Sequence, residues 1–191
     1  MKGRESGMPD EAYWNSFFDA ESALRLLIPE VRVHGDLIEF GCGYGTFTVP
    51  AATRVDGWVT GLDIDPEMTA ATSQHAAASG VTNVRVGLRD FVADGTGLPD
   101  ASQSHAMVYN LLHLEQPIEL LREAHRVLQP GGTLSVMHWR SDIDTPRGPS
   151  RDIRPRPEQC IAWMEAAGFV DVATVDLAAS CPYHFGLVAR H

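Results

Sequence analysis

Residues 37–45 read Leu37-Ile38-Glu39-Phe40-Gly41-Cys42-Gly43-Tyr44-Gly45. A short apolar run breaks at once into alternate glycines, which is the pattern of a buried strand entering a tight turn before a helix. Glycine lets the backbone come close to a ligand and take φ angles closed to other residues. The start of the following helix offers free N–H groups and the positive end of a dipole to a carboxylate or phosphate. A second apolar run, Gly57–Asp63, ends in an acid. An acid at that strand tip can accept hydrogen bonds from both hydroxyls of a ribose. Together these features specify a site for a small nucleotide-like ligand.

The remaining chain alternates strand and helix signals. Residues 1–34 read as a helical cap: positions 14, 17, 18, 24, 27 and 28 share one helical face, with a break near Asp19-Ala20. A strand at Asp36–Phe40 is followed by a helix over 45–54, and the Gly57–Asp63 strand by a helix capped by Asp65 with Pro66 in its first turn. Further strands are expected at Thr82–Leu88, Ala106–Asn110 and Thr133–His138, with a loop over 93–103. A helix opens at Pro117 and stops at Pro130-Gly131-Gly132. A Pro-rich connection over 140–156 leads to a helix at Glu158–Ala167, then two strands, Val170–Leu177 and Tyr183–Ala189, close enough for a hairpin. Alternation of this kind predicts an α/β fold, a doubly wound and mostly parallel sheet with an antiparallel last strand. One domain over 1–191 is expected: the cap 1–34, a ligand-binding core 35–139, and the loop, helix and hairpin of 140–191.

Composition narrows the function. The formal charge is −10, which disfavours a nonspecific binder of phosphate backbones. Arg147, Arg151, Arg154 and Arg156 form one basic patch and read as a solvated loop. Cys42, Cys160 and Cys181 are too few and too scattered for a disulfide framework, so a reducing cytoplasm is expected. No apolar signal core opens the chain and no run is long enough to span a membrane.

Four segments resemble class I S-adenosylmethionine-dependent methyltransferases over about Leu37–His138. Glu39-Phe40-Gly41-Cys42-Gly43-Tyr44-Gly45 is similar to that family's acid plus GxGxG motif. Gly61-Leu62-Asp63-Ile64-Asp65-Pro66-Glu67-Met68 resembles its second motif, with the ribose-binding acid. Arg89-Asp90-Phe91 stands where the family has its adenine-contacting acid, and Arg126-Val127-Leu128-Gln129-Pro130-Gly131-Gly132 looks like its LxPGG turn. The resemblance implies a Rossmann-like, seven-stranded sheet and S-adenosyl-L-methionine as cofactor. Two departures stand out. Ser104-His105 occupies a place usually held by Phe-Asp, and Asn110-Leu111-Leu112-His113 replaces the Asn-Pro-Pro-Tyr signature of enzymes acting on nucleobases. The second points to the small-molecule branch.

By that resemblance the cofactor set is Glu39 for the amino group, the Gly41, Gly43 and Gly45 backbone, Asp63 for the ribose, and Asp90 with the Phe91 N–H for the adenine, with Ile64 and Asn110 completing it. Methyl transfer is an in-line displacement that gains most from alignment and exclusion of water. A base is needed only if the acceptor loses a proton, and His113 and His138 are the candidates, each with a plain structural alternative. Tyr13, Trp14 and Phe18 form either a lid or simple packing. Asp142, Asp144 and His138 match no metal motif, so no metal is assigned. The expected partner is a small-molecule acceptor, with no nucleic acid and no membrane; a homodimer is compatible with this reading. Two other classes remain open: a non-catalytic S-adenosylmethionine-binding module or regulatory subunit, and an NAD(P)-dependent oxidoreductase. The latter lacks its GxGxxG, since Thr46, followed by Phe47, stands three after Gly43 where the third glycine belongs.

Overall fold

The computed structural model describes residues 7–28 and 33–191, so part of the expected cap over 1–34 lies outside the described residues. The chain runs through α1 (Glu11–Asn15), α2 (Ala20–Leu27), β1 (Leu37–Phe40), α3 (Thr48–Ala51), β2 (Val59–Asp63), α4 (Pro66–Ala78), β3 (Val84–Leu88) and α5 (Phe91–Asp94). It continues through β4 (Gln103–Tyr109), α6 (Pro117–Val127), β5 (Leu128–Trp139), a 3₁₀ turn at Arg151–Ile153, α7 (Pro157–Ala166), β6 (Val170–Val175) and β7 (His184–Arg190). One seven-stranded sheet has the order β3-β2-β1-β4-β5-β7-β6. The strands from β3 to β5 pair in parallel, and β7 is antiparallel to both its neighbours. This is the expected α/β architecture with an antiparallel last strand.

Parallel strands need crossovers, and the crossovers bury both faces of the sheet. Alternate side chains sort accordingly. Ile38, Phe40, Ala106 and Val108 join the core beneath α5, α6 and α7. Leu37, Met107, Tyr109 and Met137 join the core under α2 and α3. The chain leaves β1 for β2 on one side and later places β4 on the other. The strand order therefore reverses between β1 and β4, and a crevice opens beyond their carboxyl ends.

Several boundaries differ from the sequence reading, each for a local reason. The helix expected over 45–54 is cut to Thr48–Ala51, because Ala52, Thr53 and Arg54 donate three residues back, to Val49, Pro50 and Ala51, and tighten the end. The expected loop over 93–103 is shortened at both ends: α5, which Asp90 caps by accepting from Ala93 N, takes residues 93 and 94, and β4 begins at Gln103. β5 begins at Leu128 and takes the Pro-Gly-Gly turn into its length. β4 ends at Tyr109, leaving Asn110 outside the strand at φ +59°. The break at Asp19 is present, with Asp19 capping α2 through Ser22 N. Ser104-His105, the departure from the family pattern, is structural. The buried His105 ring bonds to the Thr133 and Ser135 hydroxyls at 2.7 and 2.9 Å across β5.

Glu123 on α6 ties down the loop after α5. Its Oε1 accepts from Thr96 N at 2.6 Å and Thr96 Oγ1 at 2.7 Å, and Arg126 Nε donates to Oε2 at 2.8 Å. Burial pushes this carboxyl up, but the hydrogen bonds from Arg126 and Thr96 outweigh it and hold it at about 2. The folded value lies below the ordinary 4.5, so the stabilisation is full above that pH and is lost as pH falls through about 2. Glu123→Gln is therefore expected to lower the urea midpoint at neutral pH, and the gap from wild type should close between pH 4.5 and 2. A gap constant with pH would refute the role.

Candidate active site

The glycine turn is held from below and from the side. Gly41 N and Cys42 N both donate to Leu62 O, at 2.8 and 2.9 Å, which locks the turn to the end of β2. Asp63 then uses both carboxylate oxygens on backbone: Oδ2 accepts from Gly43 N at 2.9 Å and Oδ1 from Asp65 N at 3.0 Å. Thr72 of α4 donates its hydroxyl to Gly43 O at 2.7 Å. Gly45 sits at φ +77°, and a Cβ there would lie 3.1 Å from Thr72 Cγ2 and 3.2 Å from Val49 Cγ2. Both its conformation and its surroundings demand glycine.

Two acids stand close together here. Glu39 is 2% exposed and accepts from the Thr48 hydroxyl. Burial raises its carboxyl to about 8, the Thr48 hydrogen bond opposes that, and the charge of Asp63 adds to it. Asp63 is also raised, mainly by burial and against the pull of the Gly43 and Asp65 N–H groups. A positively charged ligand group beside them would relieve both.

These elements enclose a cavity of about 330 Å³, within the range of small-molecule sites, about 300–1,000 Å³. Of the residues expected at the site, Glu39, Gly41, Gly43, Asp63, Ile64, Asp90, Phe91, Asn110 and His113 line it. Gly45 does not, and its role is to pack the turn on α4. His138 does not line it either. It is fully buried, its Nε2 lies 3.1 Å from His113 Nδ1, and it reaches the cavity only through that ring. This corrects the expectation that His138 faces an acceptor. Burial pushes its imidazole down to about 3, and His113 is lowered by burial and by Arg154. Asn110 takes the left-handed conformation at φ +59°, which asparagine tolerates, and among the described residues its buried Oδ1 has no partner.

The cover of the cavity was largely invisible in the sequence. Gly7, Met8 and Trp14 line it from the N-terminal segment. That segment is tied to the turn by Tyr44 Oη donating to Pro9 O at 2.7 Å and Thr46 Oγ1 donating to Asn15 Oδ1 at 2.8 Å. Of the aromatic residues expected as a lid, only Trp14 lines the cavity. Tyr13 is exposed, and Phe18 packs on Phe47 and His184. The loop over 140–156 adds Arg147, Gly148 and Pro149. Its basic patch dissolves in the fold. Arg154 is buried and donates to Arg140 O, Thr145 Oγ1, Arg147 O and Pro149 O, while Arg151 pairs with Asp144. A Pro-rich loop whose carbonyls need donors was the only signal for this. Asp142, once considered for a metal, is engaged by Arg140.

A family model described as a methyltransferase domain matches residues 37–132. Among curated proteins, the chain is 32% identical over 114 residues to a ubiquinone biosynthesis O-methyltransferase of Xanthomonas campestris, covering 59% of this chain and 44% of that protein. It is 37% identical over 122 residues to the nocamycin O-methyltransferase of Saccharothrix syringae, covering 60% and 41%. The chain thus spans less than half the length of these curated relatives. A SAM dependent methyltransferase from Aquifex aeolicus has the same fold, with a TM-score of 0.79 at 23% identity over 95% of this chain and 93% of that one.

The turn geometry makes a direct prediction. Gly45→Ala should destabilise the fold by about 1–2 kcal/mol, the cost of a left-handed non-glycine residue, with any repulsion from Thr72 and Val49 added. Urea denaturation followed by circular dichroism measures it. A change within error would show that the turn relaxes freely.

Proposed function

The chain belongs to the methyltransferase-domain family, and from that premise we propose that it transfers a methyl group from S-adenosyl-L-methionine to a small-molecule acceptor. The observation that carries this reading is the convergence of Glu39, Asp63, Asp90 and Asn110 with the glycine turn around one cavity. The residues fit the cofactor on their own chemistry. Two partly or fully buried acids favour a cation, the Asn110 Oδ1, without a partner among the described residues, can take a donor, and Gly41 and Gly43, both at positive φ, leave the wall free of side chains. An NAD(P) pyrophosphate would bring negative charge toward two carboxyls whose ionisation burial already opposes, and that disfavours the oxidoreductase reading.

Within this reading Glu39 and Asn110 hold the amino acid end, Asp63 the ribose, and Asp90 with the Phe91 N–H the adenine. The proposal treats 1–191 as one catalytic domain, with the N-terminal segment and the loop over 140–156 forming the acceptor side. It places the enzyme in the cytoplasm, working on small diffusible acceptors; among the described residues no helix is long and apolar enough to cross a membrane. When bound, the cofactor supplies an electrophilic methyl on a sulfonium and leaves as a neutral thioether. The chain's own part is to align the acceptor and keep water out beneath Met8, Trp14 and Pro149.

Calorimetric titration tests this. Wild type should bind S-adenosylmethionine at micromolar concentration and NADH not at all, and Asp63→Ala should weaken binding at least about 100-fold, or about 2.7 kcal/mol. Equal affinity in Asp63→Ala would sink the site assignment. Glu39 adds a sharper expectation. Its carboxyl, raised to about 8, is largely protonated at pH 7 in the free protein, and a cationic ligand should expel that proton. Binding heats in phosphate and in Tris should therefore differ for wild type, by about one released proton, and agree for Glu39→Gln. Identical heats for wild type in both buffers would contradict it.

A further inference from the structure

His113 and His138 form a pair whose protons can be assigned from their partners. His138 Nδ1 lies 3.1 Å from Trp139 O. A carbonyl oxygen only accepts, so Nδ1 carries the hydrogen. His138 is fully buried, its imidazolium is disfavoured there, and among the described residues no carboxylate is hydrogen-bonded to either ring. A neutral imidazole has one N–H, so His138 Nε2 is bare and accepts. Its partner at 3.1 Å, His113 Nδ1, must then be the donor. That leaves the neutral His113 with its lone pair on Nε2, the ring edge away from His138. His113 lines the cavity and is only half-buried. The other titratable groups near the pair are Arg154, whose positive charge adds to the lowering of both rings by burial, and His184, whose imidazole is pushed down by burial first and by His138 second.

We propose that His138 is a positioning residue which fixes His113 Nε2 as a proton acceptor toward the cavity, and that the molecule methylated there presents a hydroxyl group. This rests on the reading of the cavity as a methyl-transfer site. The acceptor O–H bond breaks toward His113 Nε2, the oxygen forms the bond to the transferred methyl, and the electron pair of the old carbon–sulfur bond stays on sulfur. His113 becomes an imidazolium whose Nδ1–H still donates to His138 Nε2, now as a charge-assisted bond. No carboxylate is needed, because a main-chain carbonyl sets the direction of the whole chain. The substrate class follows from the base. A tertiary amine or thioether has no proton to give, a neutral primary or secondary amine attacks through its lone pair before it loses one, and a thiol ionises far more readily than a hydroxyl. A weakly acidic hydroxyl is the group that must lose its proton during the transfer.

Long-range proton–nitrogen correlation spectra of the ¹⁵N-labelled wild-type protein read the tautomers without any ligand. Both His113 and His138 are expected as Nδ1–H, with His113 Nε2 unprotonated; a His113 Nε2–H form overturns the relay. His138→Phe removes the acceptor, and His113 should move toward the Nε2–H form that free imidazoles of histidine favour. His138→Gln keeps an acceptor oxygen and should hold His113 as Nδ1–H. With phenol and thiophenol as probe acceptors, His138→Phe should lower kcat on phenol about 100-fold at little change in KM. Thiophenol should change less than about threefold, and His138→Gln should recover part of the phenol rate. Equal losses on both probes, or equal losses in both variants, would reduce His138 to a packing role. Failure of the wild type to bind S-adenosylmethionine would instead overturn the methyl-transfer reading, and the tautomer result would stand apart from it.

Discussion

The site depends on one carboxylate. Asp63, at the tip of β2, accepts from Gly43 N and from Asp65 N, so one side chain joins the glycine turn after β1 to the start of α4. Without it the turn would present unpaired N–H groups in a half-buried crevice, at a cost of about 1–3 kcal/mol each. The same hydrogen bonds hold Asp63 against the upward push of burial. The acid that a ligand would use is thus already a structural member of the turn.

The opposite wall follows a different logic. The loop over 140–156 has little regular structure and buries part of its backbone, so its carbonyls need donors from elsewhere. Arg154 supplies them from a single buried guanidinium, with Trp139 beneath Gly148 completing the packing. A planar fork of five N–H groups suits this task better than a lysine ammonium would. That cation ties the loop's carbonyls to one point, beside the edge that Arg147, Gly148 and Pro149 give the cavity. Across the cavity the N-terminal segment is held by Tyr44 and Thr46 of the glycine turn itself, so the cover and the floor share one anchor.

Much of the frame was legible because its determinants are local. Short apolar runs marked β1, β2 and β4, and turn chemistry marked the glycine turn and the start of α4. Asp10, Asp19 and Asp65 capped their helices as short polar residues do. Errors fell where two elements compete for one stretch. α3 was overextended because its last residues bond at the shorter spacing. α5 was missed because its four residues carry no periodicity and stand only on the Asp90 cap and the packing of Phe91 on Phe40.

The sequence by itself determined the α/β class, the mostly parallel sheet with its antiparallel last strand, and most of the residues expected on the glycine-turn side that line the cavity. Those depend on periods of two and near four and on glycine and acid at strand ends, all set within a few residues. Tertiary structure alone decided that His113 faces the cavity while His138 stands behind it, that Arg154 is buried rather than solvated, and that Met8 and Trp14 cover the site. Each of these turns on contacts between segments far apart in the chain. The direction of a side chain at a strand end is set by what packs against it from other elements, and no local pattern encodes that.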